Sequence, residues 1–371
     1  MQGKLNLDDT KPNDKYFVAF SNLFINSPYF KTKIFEFFDC DIKRVFAADK
    51  SDLAEFCGKY KNAGTPRNFL NEIKKIDIDK VYDDTIKNSK FITVENELYP
   101  EILKTIEDYP LLLYYKGNFS GINFDRTLAV VGSRNATSSA RQNTSNIISG
   151  FKDTDVVIVS GLASGIDTVS HISAIENNIK TVAVIGSGFK YVYPSQNKKL
   201  YEEIEEKGLI LSEYPYNLSP MPVNFPQRNR IVTGLSKGVL IAEAKMKSGA
   251  MISAKAALEQ GRELMCIPGL ITNPNCEGIY HLIKNGAGIV TGTDDILNIM
   301  NWDINCTAEN NTVLNGIEKD IFEVISYGEI SIEGLQQKFD VGINELMVKL
   351  TQMELNGLIV QKNGLYYITG I

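Results

Sequence analysis

Two stretches in the middle of the chain decide the fold: residues 128–134 read LAVVGSR, and residues 156–167 read VVIVSGLASGID. Each starts as a short apolar run rich in valine and passes directly into a glycine loop. Continuous apolar runs of this length are typical of strands buried on both faces of a parallel sheet. A stretch of helical pattern separates the two, so together they predict strand–loop–helix units of an open α/β sheet.

The same unit recurs toward the C-terminus. Five further apolar runs predict strands, at residues 181–185, 209–212, 238–243, 263–267 and 288–290. Extended segments at 91–94 and 111–115 precede the first glycine loop. We therefore expect the fold class α/β, with an extended Rossmann-like parallel sheet over residues 89–300 and helices on both of its faces.

The N-terminal flank has a different pattern. The first 116 residues hold three of the 28 glycines, and Phe17, Phe20 and Phe24 recur at helical spacing. Residues 1–88 are therefore predicted to form a small helical domain. Ser51 is the predicted N-cap of one of its helices, because a serine oxygen can accept from the free amides of a first turn.

The C-terminal flank begins with a polar, asparagine-rich stretch over residues 301–312, which is predicted to be a linker. Residues 313–371 show three helical patterns and then two short apolar runs joined through Asn363-Gly364, which predict a hairpin and hence a winged-helix-like domain. This unit holds four lysines, no arginine and eight acidic residues. Such a surface suits a DNA groove poorly, so we interpret the domain as a protein-contact module.

Composition limits the classes of function. The net charge is −6 over 371 residues, so any nucleic-acid partner must be held by a local patch. Five cysteines without a C-x-x-C spacing indicate free thiols, and two histidines, His171 and His281, lie too far apart in sequence to suggest a metal site. The N-terminus lacks the apolar core of a signal peptide, and no apolar run approaches about 18 residues, so we expect a cytoplasmic protein without membrane spans.

The first motif that carries chemistry is Gly132-Ser133-Arg134, directly after a predicted strand. At the carboxyl end of a parallel strand, a glycine lets backbone amides approach a phosphate. Ser133 adds a hydroxyl donor, and Arg134 adds a planar cation that can bind two oxygens. The alternative is a tight turn with a surface arginine.

The second motif runs from Ser160 to Asp167. Its small residues, which include Gly161, Ala163 and Gly165, predict a loop with exposed amides that cradles an anion at the start of a helix. Asp167 is interpreted as a cap of that helix. The alternative is a close strand–helix junction without a ligand.

The third motif is Phe225-Pro226-Gln227-Arg228-Asn229-Arg230. An aromatic ring beside two arginines suits single-stranded nucleic acid, because bases stack on the ring while guanidinium groups hold phosphates. The alternative is a buried phenylalanine beside arginines that form salt bridges with Glu213 or Glu243.

The fourth motif, Ser248-Gly249, again follows a strand and precedes a helix, where it offers either amides to a phosphate or a serine cap. Six of the eight arginines lie between residues 126 and 262, three of them in these motifs. The motifs supply the candidate binding residues Gly132, Ser133, Arg134, Ser160, Gly161, Ala163, Gly165, Phe225, Arg228, Asn229, Arg230, Ser248 and Gly249.

Signatures of several enzyme classes are missing from the sequence. No G-x-x-x-x-G-K-[ST] loop is present, and Tyr191 stands where a dinucleotide fingerprint beginning at Gly186 needs its third glycine. No Ser/His/Asp set is suggested, since His171 lies on a predicted helix and is interpreted as a packed or surface residue. We therefore expect no catalytic residues, no metal and no cofactor.

Taken in order, these motifs resemble those of the DprA/Smf family of DNA-processing proteins. The resemblance covers residues 90–300 most strongly. It also includes Tyr99-Pro100, Tyr109-Pro110, Tyr193-Pro194, Ser212-Glu213-Tyr214-Pro215, Glu243-Ala244 and Pro268-Gly269. The family often carries a sterile-alpha-motif-like or helix-hairpin-helix-like N-terminal domain, and a C-terminal winged-helix-like domain fits it in position.

The resemblance implies a non-enzymatic protein that binds incoming single-stranded DNA during natural transformation. Such proteins protect that DNA, help to displace single-strand-binding protein, load the RecA recombinase, and dimerise through the Rossmann domain. By motif match, Arg134, Phe225, Arg228 and Arg230 would line the DNA pocket. Amides of the glycine loops at 132, 161 and 165 would join them.

Two other functions remain open. One is a nucleotide-processing enzyme resembling phosphoribohydrolases, which use a Pro-Gly-Gly-x-Gly-Thr loop that residues 248–253 lack. The other is a nucleotide-sensing scaffold, in which the pocket holds a mononucleotide and the acidic C-terminal domain signals. Binding that depends on oligonucleotide length would separate single-stranded DNA from either alternative.

Overall fold

The computed structural model describes residues 11–302, 317–326, 328, 330–339, 341–355, 359–362 and 364–368. The chain divides into two compact units, residues 1–306 and 307–371. Most of the predicted linker, from residue 303 onward, lies outside the described residues. The domain boundaries expected from the sequence stay predictions.

Among the described residues from 11 onward, six helices precede the sheet: α1 (Asp14–Asn22), α2 (Pro28–Phe37), α3 (Ile42–Ala47), α4 (Lys50–Lys59), α5 (Phe69–Lys75) and α6 (Ile78–Ile86). Their aromatic residues pack edge to face, as in the Phe30–Phe56 pair, whose ring centroids are 5.7 Å apart. The predicted cap at Ser51 is wrong, because α4 begins earlier. Asp49 caps it and forms a capping box with Asp52.

A nine-stranded sheet forms the centre of the first unit. Its strands are β1 (Lys90–Thr93), β2 (Leu112–Gly117), β3 (Thr127–Val131), β4 (Val157–Ser160), β5 (Thr181–Ile185), β6 (Leu209–Ser212), β7 (Gly238–Ile241), β8 (Glu263–Cys266) and β9 (Gly288–Ile289). Their order is β1-β2-β6-β5-β4-β3-β7-β8-β9. Neighbours from β6 to β9 are parallel, whereas β2 pairs antiparallel with both β1 and β6. The predicted Rossmann-like α/β fold is confirmed.

Seven helices connect and cover these strands: α7 (Ser138–Ser149), α8 (Ile166–Glu176), α9 (Lys198–Lys207), α10 (Asn224–Gly234), α11 (Gly249–Glu259), α12 (Glu277–Lys284) and α13 (Thr293–Met300). Successive residues of β3 belong to different cores, since Ala129 packs in one hydrophobic cluster and Leu128 in another. Both faces of the sheet are therefore buried, which explains the continuous apolar runs.

The N-terminal helices pack directly on the sheet. Phe30 and Ile34 of α2 share one hydrophobic cluster with Ala183 of β5 and Ile210 of β6. The helical segment and the sheet thus form one packed body, although their sequence patterns differ.

The strand order reverses next to β3. The chain passes from β3 to β4 on one side of the sheet, and β7 later joins β3 on the other side. Loops that leave the carboxyl ends of such neighbours diverge and leave a crevice, which is where open α/β sheets bind ligands.

The second unit contains α14 (Ile317–Ser326), β10 (Ile330–Ser331), α15 (Ile332–Lys338), α16 (Ile343–Leu355), β11 (Ile359–Lys362) and β12 (Leu365–Ile368). The strands form an antiparallel sheet in the order β10-β12-β11. Leu335, Leu346 and Leu350 belong to its own hydrophobic core. The pairing of β11 with β12 agrees with the predicted hairpin, while Asn363 at its turn lies outside the described residues.

Within the described ranges, no helix is long and apolar enough to cross a membrane. The same ranges contain no group of three or more histidine, cysteine or acidic side chains that could hold a metal ion.

Candidate nucleic-acid interface

A cavity of about 630 Å³ lies at the carboxyl ends of the parallel strands, beside the point where the strand order reverses. The loops after β3, β4 and β7 line it together with the first half of α10. Nine of the candidate residues are among its walls: Gly132, Ser133, Arg134, Ala163, Phe225, Arg228, Asn229, Ser248 and Gly249. A smaller adjoining cavity of about 240 Å³ includes Gly161 and shares Arg134 and Phe225.

The two glycine loops after β3 and β4 pack against each other. Gly165 has a φ of +85°, and a β-carbon there would collide with the Ser133 carbonyl oxygen. A β-carbon on Gly132 would likewise collide with the Ile166 side chain. The Ile166 amide also donates to the Ser133 oxygen over 3.2 Å. Gly132 and Gly165 are therefore needed for the close approach of the loops, which sets the position of Arg134.

Arg134 is an exposed cation of this cavity. Its guanidinium lies 5.4 Å from the centroid of the Phe225 ring, and no ion pair of Arg134 is found within the described ranges. Phe225 is half-buried and packs in turn against Tyr193, with ring centroids 5.3 Å apart and planes tilted by 42°. The result is a cation above an aromatic surface, an arrangement that can hold a phosphate next to a stacked base.

Tyr193 is a wall residue that was not among the candidates. It lines both cavities, and 49% of it is exposed. The motif Tyr193-Pro194 was recognised in the sequence, but nothing in it showed that the ring would meet Phe225, which is 32 positions away. Lys245 is a second residue of this kind, an exposed lysine in the cavity wall just before Ser248.

Arg228 reaches the cavity from below but is deeply buried, with 3% exposed. Its guanidinium donates to the carbonyl oxygen of Gly161 over 2.5 Å and to that of Val184. Burial lowers the pKa of Arg228, and the nearby carboxylate of Asp167 opposes this. Much of its hydrogen-bonding capacity is thus used on the protein itself, so Arg228 shapes the floor and contributes charge there.

The predicted anion nest after β4 is already filled. One carboxylate oxygen of Asp167 accepts from the amides of Gly161 and Ala163, each over 3.2 Å. Burial raises the pKa of Asp167, while Arg228 and these amides lower it. The Gly161 amide is therefore committed within the chain, and its predicted contact with a phosphate is wrong for this conformation. Asp167 therefore stabilises the preceding loop and is not simply a helix cap.

Arg230 does not face the cavity. It follows Arg228 by two residues on α10, which turns it about 200° around the helix axis. Its guanidinium donates to Glu213 over 2.5 Å and to the Asp108 carbonyl oxygen, and Nε lies 3.3 Å from the Asp108 carboxylate. The alternative interpretation, a salt bridge with Glu213, holds for this arginine. Its predicted place in the pocket is wrong because helix geometry directs it elsewhere.

Ser160 also lies outside the walls. Its hydroxyl donates to the Val130 carbonyl oxygen over 2.7 Å inside the sheet, so it is structural. Ser248 donates to the Lys245 carbonyl oxygen over 2.8 Å, which stabilises the turn before α11. The space around Gly249 is open, since no described atom outside its own helix turn lies within 4 Å of the position a β-carbon would take. Glu243 accepts from the Thr137 hydroxyl over 2.7 Å instead of pairing with an arginine.

His171 is a packed residue, as interpreted. It is fully buried on α8, and its Nδ1 lies 2.8 Å from the Thr181 hydroxyl. Burial lowers its pKa to about 3, with Arg228 adding to the effect. A neutral histidine enclosed in this way does not reach the cavity.

Comparison with known proteins places the chain among DNA-processing proteins. Residues 90–301 match the family model of DNA recombination-mediator protein A. The chain is 40% identical over 246 residues to the DNA processing protein DprA of Streptococcus pneumoniae, covering 66% of this chain and 85% of that protein. The X-ray structure of DprA from Streptococcus pneumoniae is similar with a TM-score of 0.66 at 35% identity, over 78% of this chain and 98% of that one.

A second solved structure is DprA from Helicobacter pylori, described for its single-stranded DNA binding mode. It is similar with a TM-score of 0.53 at 30% identity, over 58% of this chain and 97% of that one. The family model spans more than half of the present chain and includes every wall of the cavity. The protein therefore belongs to the DNA recombination-mediator protein A family, the family of the DprA and Smf proteins of DNA processing and recombination.

Proposed function

We propose that this protein binds single-stranded DNA in the cavity at the carboxyl ends of β3, β4 and β7, without reading the base sequence. The single observation that carries the proposal is the exposed guanidinium of Arg134 above the Phe225 ring, with Tyr193 beside it. Every base has an aromatic face, so stacking on such rings tolerates any sequence. The net charge of −6 makes this local arrangement, rather than bulk attraction, responsible for affinity.

The relatives support this choice of ligand. The Helicobacter pylori protein, 30% identical, is described as binding single-stranded DNA, and the present chain covers 97% of its structure. We extend that ligand to this protein because the aromatic and cationic walls suit a flexible strand. A rigid duplex does not present unstacked bases to Phe225 and Tyr193.

The cellular role we propose follows the family resemblance. The bound strand would be protected, single-strand-binding protein displaced and RecA loaded, in the cytoplasm, with the protein acting as a dimer through its Rossmann-like domain. We further propose that it performs no chemical turnover. His171 is buried away from the cavity, and Asp167 is engaged by two amides and Arg228.

The test is fluorescence anisotropy with labelled oligo-dT of several lengths and a matched duplex, across a salt series. We expect length-dependent binding to the single strand that weakens as salt rises. Arg134→Ala should weaken it, whereas Arg67→Ala, at an exposed arginine of the N-terminal helical segment, should not. Binding that ignores length, or saturates with a mononucleotide, would favour a nucleotide sensor. Hydrolysis of a nucleoside monophosphate would favour an enzyme.

A further inference from the structure

Three charged side chains form ion pairs beneath α10, on the side away from the cavity, and a fourth is buried within reach of their charges. They are Lys31 of α2, Asp108 before β2, Glu213 after β6 and Arg230 of α10, here called the Arg230 network. Arg230 contacts both carboxylates directly, over 2.5 Å to Glu213 and 3.3 Å to Asp108. With two cations and two anions, the network is balanced in charge, as a buried cluster must be to avoid a large desolvation penalty.

Lys31 brings the N-terminal helices into this cluster. Its ammonium group is buried and donates to the Ser21 carbonyl oxygen over 3.0 Å. Burial lowers the pKa of Lys31 to about 8, while attraction by Glu213 raises it and repulsion by Arg230 lowers it further. Lys31 therefore feels the charges of Glu213 and Arg230, while its hydrogen bond holds it to the N-terminal helices.

Two further hydrogen bonds join the same elements. The Thr32 hydroxyl of α2 donates to the Tyr109 carbonyl oxygen over 2.9 Å, next to Asp108. The Gln227 amide of α10 donates to the Asn26 carbonyl oxygen, in the turn before α2, over 3.3 Å. The turn before α2 therefore contacts α10 directly, and α2 itself contacts the segment that carries Asp108.

Helix α10 carries both the network and the cavity wall. Phe225 and Arg228 are three residues apart and share one face, whereas Arg230 lies on the other. A helix moves largely as a rigid element, so a change in how Arg230 is held displaces Phe225 relative to Arg134. The pocket depends on that separation, which is 5.4 Å.

We propose that the Arg230 network is a positioning device, through which the N-terminal helices set the orientation of α10 and thereby the affinity of the DNA cavity. Lys31 and Arg230 act on the ligand through Phe225 and touch no DNA themselves. The effect on affinity rests on the proposed function, whereas the effect on α10 does not.

The experiment uses the full chain with Lys31→Met, which removes the buried charge but keeps the length of the side chain. The matched control is Lys33→Met on the same helix, where Lys33 pairs with Glu36 over 2.9 Å outside the network. Hydrogen exchange measured without DNA should become several-fold faster over α10 in Lys31→Met. Exchange over α7, on the far side of the cavity, and throughout Lys33→Met should match the unmodified protein.

Affinity for oligo-dT is then measured for Lys31→Met, Phe225→Ala and the double variant. We expect Lys31→Met to weaken binding roughly three- to tenfold, within the range for coupled residues, and to have little further effect once Phe225 is gone. Gln227→Leu, which removes the other contact with the N-terminal helices, should act in the same direction and covers the case that Lys31→Met fails to fold.

Additive effects in this cycle, or exchange that rises equally in α7 and α10, would overturn the proposal. Unchanged exchange in both Lys31→Met and Gln227→Leu would do the same. If the unmodified protein binds no oligo-dT while α10 responds to Lys31→Met, the proposed function fails and the positioning of α10 by the network stands.

Discussion

The two faces of α10 place an arginine in opposite environments, one exposed and one buried. On the cavity face, the guanidinium of Arg134 lies over Phe225 and stays exposed, without an ion pair among the residues the structure describes. On the opposite face, Arg230 is buried between Glu213 and Asp108, and their attraction outweighs burial and raises its pKa. The comparison teaches that an exposed, unpaired arginine remains available to a ligand, whereas a buried, ion-paired one holds the fold.

The largest effect should come from removing the arginine on the face of α10 opposite the cavity. Arg230→Ala leaves Glu213 and Asp108 without the cation that contacts them, and breaking a buried pair in this way typically costs about 3–5 kcal/mol of the free energy of unfolding. Urea denaturation followed by circular dichroism measures the loss. Arg134→Ala, measured in the same way, should change stability by less than about 0.5 kcal/mol. Equal losses of unfolding free energy in the two variants would show that Arg134 and Arg230 do not differ in their structural role.

A substitution on the cavity side should lower the affinity for DNA instead of the stability of the fold. Arg134→Ala removes a charge-assisted contact with phosphate, which is worth about 1.5–3 kcal/mol, or roughly a 10- to 150-fold loss of oligo-dT affinity. Anisotropy titration checks this against Arg67→Ala as the control. Unaltered affinity in a folded Arg134→Ala protein would exclude Arg134 from the site.

The contribution of the aromatic ring to binding can be measured separately from the contribution of the arginine charge. Phe225→Ala should weaken oligo-dT binding by about 1–3 kcal/mol through lost stacking. The dependence of log affinity on log salt concentration should stay as it was, whereas Arg134→Ala should make that slope shallower by about 0.7. Titrations at four salt concentrations distinguish the two variants. A shallower slope for Phe225→Ala would mean that the ring acts by positioning Arg134 and not by stacking.

A separate effect should appear in the pH dependence of stability, through Lys31. Its pKa is about 8 in the folded protein and 10.5 as its ordinary value. As the pH falls from 10.5 toward 8, the unfolded chain takes up a proton that the folded chain does not, so stability decreases by at most about 1.4 kcal/mol per pH unit. Below pH 8 this contribution is constant.

Comparing the unmodified protein with Lys31→Met by urea denaturation between pH 8 and 10.5 isolates this contribution from other titrating groups. The difference in unfolding free energy should grow with pH in favour of the unmodified protein. A difference that is flat across this range would show that Lys31 is not buried in the folded protein as described.

Much of the sheet was predictable from short segments. The strands at 181–185 and 209–212 begin and end where the apolar runs predicted, and others differ by one or two residues. The cap of α4 was misplaced because Asp49 and Ser51 are both good capping residues, and local preference does not choose between them. Of the candidate site, the cavity residues in the loops were identified from glycine motifs after strands, and those on α10 from the aromatic and arginine residues of 225–230.

What the sequence alone determined is the alternation of buried strands, glycine loops and helices, since each depends on neighbouring residues and on the periodicity of one element. Tertiary structure decided which charges stay free. The Asp167 carboxylate accepts from the amides that were expected to hold a phosphate. Glu213 and Asp108 form ion pairs with Arg230. Tyr193 meets Phe225 from a distant loop. Whether a charge or ring is available to a ligand depends on partners brought near by folding, and a local pattern contains no information about them.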